Sequence, residues 1–106
     1  MKAQIEFPDF SRLLSLVPPS SHLEFQRAIE QELLLCVRYA EEAKEAKITF
    51  SPIRETPEQL TLEFEVFDLE KPRKNEFNWH GQNTSQWVYA GAIVCNRETG
   101  RISRHH

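Results

Sequence analysis

The chain has 106 residues, of which 40% are hydrophobic and 27% are charged, and its formal net charge at pH 7 is −3. This length predicts a single domain, and the composition excludes a largely disordered chain. The acidic balance argues against a dedicated nucleic-acid binder, because phosphate neutralisation requires an excess of basic residues.

The first twenty residues form an apolar lead-in. Residues 4–7 predict a short strand, and Asp9 is a typical N-cap for one or two helical turns through Val17. Pro18 and Pro19 end this segment, because proline cannot donate the next helical hydrogen bond. We expect the lead-in to pack on the core or on a partner.

The sequence predicts the main helix over residues 21–46. The sequence from Ser21 to Glu24 matches a capping box, in which the serine hydroxyl and the glutamate satisfy backbone N–H groups at the helix start. Apolar residues then recur at helical spacing, namely Phe25, Ile29, Leu33, Cys36, Val37 and Ala40. The polar run 41–47 is strongly helix-forming, so we extend the helix to Ala46.

From residue 47 onward the apolar period changes to two, which predicts strands. Residues 48–53 predict one strand, and Pro52 indicates that this strand either lies at a sheet edge or ends there. Residues 60–66 alternate with one wet face, and residues 87–95 are apolar on both faces, which is typical of a central strand. Within 87–95, Gly91 indicates a bulge or a close backbone approach. Gly100 predicts a hairpin turn with positive φ, and residues 101–104 an edge strand.

The predicted fold class is therefore α+β. One long amphipathic helix, preceded by the short helical lead-in, packs on a three- to four-stranded antiparallel β-meander. We expect one domain over 1–106, with the lead-in at 1–20, the main helix at 21–46, and the sheet at 47–106. A long loop at 69–85 interrupts the sheet.

The sequence contains none of the common motifs of catalytic, cofactor-binding or metal-binding sites. The sequence has no Gly-rich phosphate loop, no G-x-S-x-G, no H-E-x-x-H and no C-x-x-C, so we predict no cofactor, no metal site and no catalytic residue. Cys36 and Cys95 fall in apolar runs and predict two reduced, buried thiols in a cytoplasmic protein. No apolar run is long enough to span a bilayer, so we expect no membrane association.

The loop 69–85 is the most informative stretch for function. It combines cations with aromatic residues, and the candidate partner-binding residues in it are Arg73, Lys74, Phe77, Trp79 and His80. The competing interpretation is that Phe77 and Trp79 fold down as a lid over the sheet end.

We therefore predict a small non-catalytic interaction or regulatory module that binds a partner protein, or a second copy of itself, through this loop and through exposed apolar surface. A first alternative is a small enzyme with its site near His80, Glu63 and Glu65. It would require one raised carboxyl pKa, which an open sheet face provides only when a loop or partner covers it. A second alternative is a single-stranded nucleic-acid accessory protein.

Overall fold

The computed structural model describes residues 2–6 and 9–106. Its elements are β1 (Lys2–Glu6), α1 (Phe10–Ser15), a 3₁₀ turn (Pro19–Ser21), α2 (His22–Glu41), β2 (Glu45–Glu55), β3 (Gln59–Asp68), β4 (Trp87–Asn96) and β5 (Ile102–His105). The strands form one sheet in the order β1-β2-β3-β4-β5. Strands β2 to β5 are an antiparallel meander, and β1 adds to β2 in parallel. The predicted α+β class is confirmed, while Phe7, the last residue of the predicted first strand, lies outside the described residues.

The lead-in belongs to the core. Asp9 caps α1 as predicted, accepting a hydrogen bond from Arg12 N at 3.2 Å. Leu13 and Val17 are buried. Arg97 fixes the end of this segment, since its Nε donates to Leu16 O and its Nη1 to Thr56 O, both at 2.7 Å. Leu13 and Val17 thus pack on the core, the first of the two expected arrangements, whereas Ile5 is 47% exposed.

The main helix is shorter than predicted at its carboxyl end. It stops at Glu41, and residues 42–44 turn into β2. Glu45 pairs with Lys2 and Ala46 pairs with Asp68, and the Ala46 side chain is fully buried. Sheet pairing and burial thus outweigh the local helix propensity of residues 42–46.

The predicted capping box does not form. Ser21 makes no side-chain cap, because the 3₁₀ turn leads directly into α2 and the Ser21 backbone is already helical, with φ −104° and ψ 0°. Its hydroxyl instead donates to Gly100 O at 2.7 Å. Gly100 has φ +77°, so the prediction of positive φ is confirmed. Ser21 therefore ties the start of α2 to the β4–β5 turn.

Helix α2 covers one face of the sheet. Its buried side chains Phe25, Ile29, Cys36 and Ala40 meet alternate residues of the central strands. Phe50 of β2 and Phe64 of β3 stack in this layer with ring centroids 5.0 Å apart. No helix among the described residues is long and apolar enough to cross a membrane.

A fully buried carboxylate, Glu32, lies in the apolar face of α2. Glu32 Oε2 accepts a hydrogen bond from the Tyr89 hydroxyl at 2.7 Å. Glu32 Oε1 accepts a hydrogen bond from Arg104 Nε at 2.8 Å and also lies 2.9 Å from His106 Nε2. Gly91 makes the room, since a Cβ there would lie 2.8 Å from Glu32 Oε2. The prediction of a bulge or a close backbone approach at Gly91 is thus wrong in its detail, because side chains, not another backbone, come close to this glycine. The network joins α2 to β4 and β5.

We predict that Glu32→Ala lowers the free energy of unfolding by about 3 kcal/mol, because it leaves Arg104 and Tyr89 without their partner in a buried site. Chemical denaturation measures the change. Glu30→Ala is the matched control: Glu30 is an exposed glutamate of the same helix, and its removal should change stability by less than about 0.5 kcal/mol. Equal effects of the two variants would contradict the role given to Glu32.

Candidate functional site

The connection between β3 and β4, residues 69–86, folds into an ordered hairpin at its tip. Phe77 and Asn83 form an isolated antiparallel bridge. Thr84 N donates to Glu76 O at 2.8 Å and Asn78 N to Gln82 O at 3.0 Å. Gly81 takes φ +80° at the turn. We call residues 76–84 the loop tip.

Side-chain hydrogen bonds fix the turn of the loop tip. Asn78 Oδ1 accepts from His80 N and from Gln82 N, both at 3.0 Å, and Asn78 Nδ2 donates to Gln82 Oε1 at 2.9 Å. This is the Asx-turn behaviour that asparagine shows in tight turns. One asparagine therefore satisfies three groups of the turn.

A second asparagine fixes the base of the loop tip. Asn83 Oδ1 accepts from both Ser85 N and Ser85 Oγ, and Asn83 Nδ2 donates to Lys74 O at 2.8 Å. Ser85 Oγ in turn accepts from Lys74 N at 3.1 Å. The loop predicted from composition is thus an ordered structure built on polar side chains.

The loop tip displays its aromatic side chains to solvent. Trp79 is 93% exposed and Phe77 is 59% exposed, so neither closes a lid over the core. The Trp79 ring lies against that of His80, with centroids 5.0 Å apart and an interplanar angle of 37°. Arg73 and Lys74 are also exposed. All five predicted partner-binding residues therefore lie on the surface of one loop.

The loop tip lies over the sheet face that α2 leaves open. Gln82 Nε2 donates to Glu63 Oε1 at 2.7 Å, which ties the loop to β3. Between loop and sheet is a cleft of about 560 Å³, lined by Ile53, Arg54, Gln59, Thr61, Glu63, His80, Gln82 and Val94. The structure thus places His80 and Glu63, predicted together for the enzyme alternative, in one cleft.

Glu63 and Glu65 are hydrogen-bonded to each other on this open face. Burial, together with the hydrogen bond and charge of Glu63, raises the pKa of Glu65 to about 8. Glu65 is therefore protonated at neutral pH and donates its proton in the hydrogen bond to Glu63.

The two cysteines are free and buried, as predicted. Burial and the charge of Glu32 raise the pKa of Cys36 to about 12, and burial raises that of Cys95. A protonated buried thiol is a poor nucleophile. Neither thiol has the properties of a reactive cysteine.

Across residues 2–6 and 9–106, no group of three or more His, Cys, Asp or Glu side chains is arranged to hold a metal ion. Comparison with protein-family models, with curated proteins and with solved structures finds no match for this chain. The site must therefore be interpreted from its own geometry.

Sequence reasoning missed the polar residues that build this site. Asn78 and Gln82 position the loop tip, and Arg54 lines the cleft. The density of Asn, Ser and Thr in 75–85 was a usable signal for an ordered turn, since these side chains bond their own backbone. Arg54 gave no such signal, because its placement depends on strand register.

Glu65 should make stability depend on pH. Its pKa is higher in the folded chain than the ordinary value of 4.5, so between about pH 4.5 and 8 the folded state binds more protons than the unfolded state. Stability therefore falls as pH rises through this window and levels off above it. Relative to wild type, Glu65→Gln should gain stability over the same window, by at most about 1.4 kcal/mol per pH unit.

Chemical denaturation at several pH values measures this difference. Glu58→Gln, at an exposed glutamate of the β2–β3 turn, is the control and should show no such gain. A difference between wild type and Glu65→Gln that is flat from pH 5 to 8 would show that folding does not raise the pKa of Glu65.

Proposed function

We propose that this protein is a non-catalytic interaction module that binds a partner protein through the loop tip. The observation that carries the proposal is the 93% exposure of Trp79 on a backbone fixed by side-chain hydrogen bonds. Exposing an indole ring to water is unfavourable, and burying it against a partner removes that cost. Tryptophan is also among the residue types that dominate binding hot spots.

Order in the loop supports affinity. A flexible loop loses conformational entropy when it binds, whereas a loop already held in one conformation does not. Asn78 and Asn83 hold the loop before any partner arrives. Arg73 and Lys74 lie on the same loop and form no ion pair within the described chain, so they are available to the polar rim of an interface.

A small enzyme is the second candidate function, because Glu65 has the raised carboxyl pKa that a general acid needs and its neighbour Glu63 lines the cleft with His80. Glu63 is, however, already engaged by Gln82. Turnover of esters, phosphates or glycosides that is lost in Glu65→Gln would favour this candidate over the interaction module. The buried free thiols support our further proposal of a cytoplasmic location, since thiols stay reduced there.

We predict that Trp79→Ala weakens partner binding by about 30-fold or more, the loss typical of a hot-spot residue. The partner is captured from the native cell lysate with wild-type protein, identified, and its affinity measured by calorimetry. Because the Trp79 side chain is exposed, the melting temperature should not change.

Leu34→Ala is the matched control for Trp79→Ala. Leu34 is 68% exposed on the outer side of α2, so the Leu34→Ala substitution removes an exposed apolar group far from the loop. Partner binding that is lost equally in both variants, or in neither, would overturn the assignment of the loop tip as the interface.

Asn78→Ala tests the role of loop order. It removes three hydrogen bonds without touching the Trp79 ring, so we predict faster amide exchange over residues 76–84 and a weaker complex, by about tenfold. Faster exchange with unchanged affinity would mean that preorganisation does not contribute to binding.

A further inference from the structure

A β-bulge in β2 turns a guanidinium onto the open face of the sheet. Before the bulge Ser51 pairs with Glu63, whereas after it Arg54 pairs with Thr61. Residues that lie directly opposite each other on neighbouring strands share a face, so Arg54 lies on the same face as Thr61. Thr61 and Glu63 are two residues apart on β3 and therefore share that face too. Regular alternation from Ser51 would have placed Arg54 on the opposite face. Bulges occur next to functional sites because they re-aim side chains in this way.

Side chains with unused hydrogen-bond donors line the cleft. Thr61 is only 8% exposed, and its hydroxyl forms no hydrogen bond within the described chain. Arg54 makes one bond, a 3.3 Å contact from Nη1 to Gln59 Oε1, so most of its five donors are available. The amide nitrogen of Gln59 donates to no described group. A hydroxyl and an exposed guanidinium that line one cleft, with donors that no described group uses, suit a ligand with acceptor atoms.

The acceptors of the cleft are already engaged. Glu63 accepts from Gln82 and is hydrogen-bonded to Glu65, and Thr49 and Lys47 also interact with Glu65. With Glu65 protonated near neutral pH, the Glu63–Glu65 pair carries one negative charge, while Arg54 and Lys47 each carry a positive one. The groups of the cleft that are free to bind a ligand are therefore mainly donors. Two positive charges and one negative charge leave a net charge that one further negative charge neutralises.

We propose that this cleft binds a carboxylate of an acidic segment of the partner protein, with the Arg54 guanidinium and the Thr61 hydroxyl as its hydrogen-bond donors. The proposal rests on the proposed function and specifies the chemistry of the partner. A guanidinium presents parallel N–H groups that match a carboxylate.

Charge favours an acidic protein segment over a nucleic acid. Lys71, Arg73 and Lys74 on the same loop form no ion pair within the described chain and complement acidic residues that flank the bound carboxylate. A phosphate dianion would instead lie close to the negative charge of the Glu63–Glu65 pair, with only one guanidinium to neutralise it. Carboxylate monoanions fit this balance of charge.

The test is an NMR titration with N-acetylglutamate α-amide, which carries one side-chain carboxylate. We expect saturable shifts of the Arg54, Gln59 and Thr61 amides with a Kd of about 1–10 mM, as for a small fragment. N-acetylglutamine α-amide should cause no shifts. Arg54→Gln should weaken binding at least tenfold and Thr61→Val about threefold to tenfold. Arg101→Gln, at an exposed arginine of the β4–β5 turn, should have no effect.

Three results would overturn the proposal. They are no shifts at the cleft, equal binding of the glutamine analogue, or tighter binding of inorganic phosphate or of a thymidine oligonucleotide. A pH series adds a further requirement. Affinity should fall from pH 7 to pH 9, as Glu65 loses its proton and the pair gains a second charge, and Glu65→Gln should abolish this fall.

Trp79→Ala separates this proposal from the proposed function. Trp79 does not line the cleft, so the variant should bind the carboxylate probe as wild type does while it loses the partner. If the probe binds but Trp79→Ala keeps the partner, the loop-tip interface is wrong and the cleft stands. If the probe fails to bind but Trp79→Ala loses the partner, the cleft proposal is wrong and the loop-tip interface stands.

Discussion

The rest of the structure depends on a mismatch of dimensions: one helix has to cover a sheet of five strands. Helix α2 is roughly 30 Å long and about 10 Å wide, whereas five strands span about 20–25 Å. With α1 and the lead-in filling one side, a single layer of apolar side chains forms between helices and sheet. No described helix lies over the second sheet face. That face carries polar side chains together with Phe67 and Trp87, and it lies partly beneath the loop between β3 and β4, where the candidate site is formed.

Carboxylates on the two faces are stabilised in different ways. On the helix side, Glu32 is fully buried and receives hydrogen bonds from a tyrosine and an arginine, so its environment is closed. On the open side, Glu63 is hydrogen-bonded to Glu65 and accepts from the Gln82 side-chain amide of the loop, beside a cleft that is open to solvent. The first arrangement holds the carboxyl-terminal strand on the sheet. The second couples the position of the loop to the charge of the cleft.

Periodicity in the sequence predicts most of the fold, because burial of one face imposes a spacing of 3.6 or 2 residues. It correctly predicts α2, β3, β4 and the turn at Gly100, but it extends α2 five residues too far. The reason is that helix propensity does not report the pairing of Glu45 and Ala46 in the sheet. Glu32 occupies a core position between Ile29 and Cys36, where the helical pattern calls for an apolar residue. A charged residue at such a position indicates a buried polar network, but the sequence does not show which residues are its partners. The loop composition predicts an interaction site, and this stays a prediction. The role of Arg54 follows only from the bulge, which no local pattern predicts.

The proposed interface requires a loop tip that is rigid while its tryptophan is exposed. Backbone ¹⁵N relaxation of residues 76–84 in the free protein tests this most directly, because it reports motion without requiring the partner. We expect order parameters near those of the strands, about 0.85. In a Trp87→Phe background, the fluorescence emission of Trp79 should be typical of an indole in water. Order parameters below about 0.6 at the loop tip would contradict the proposed interface, since a mobile loop would offer no fixed surface to a partner.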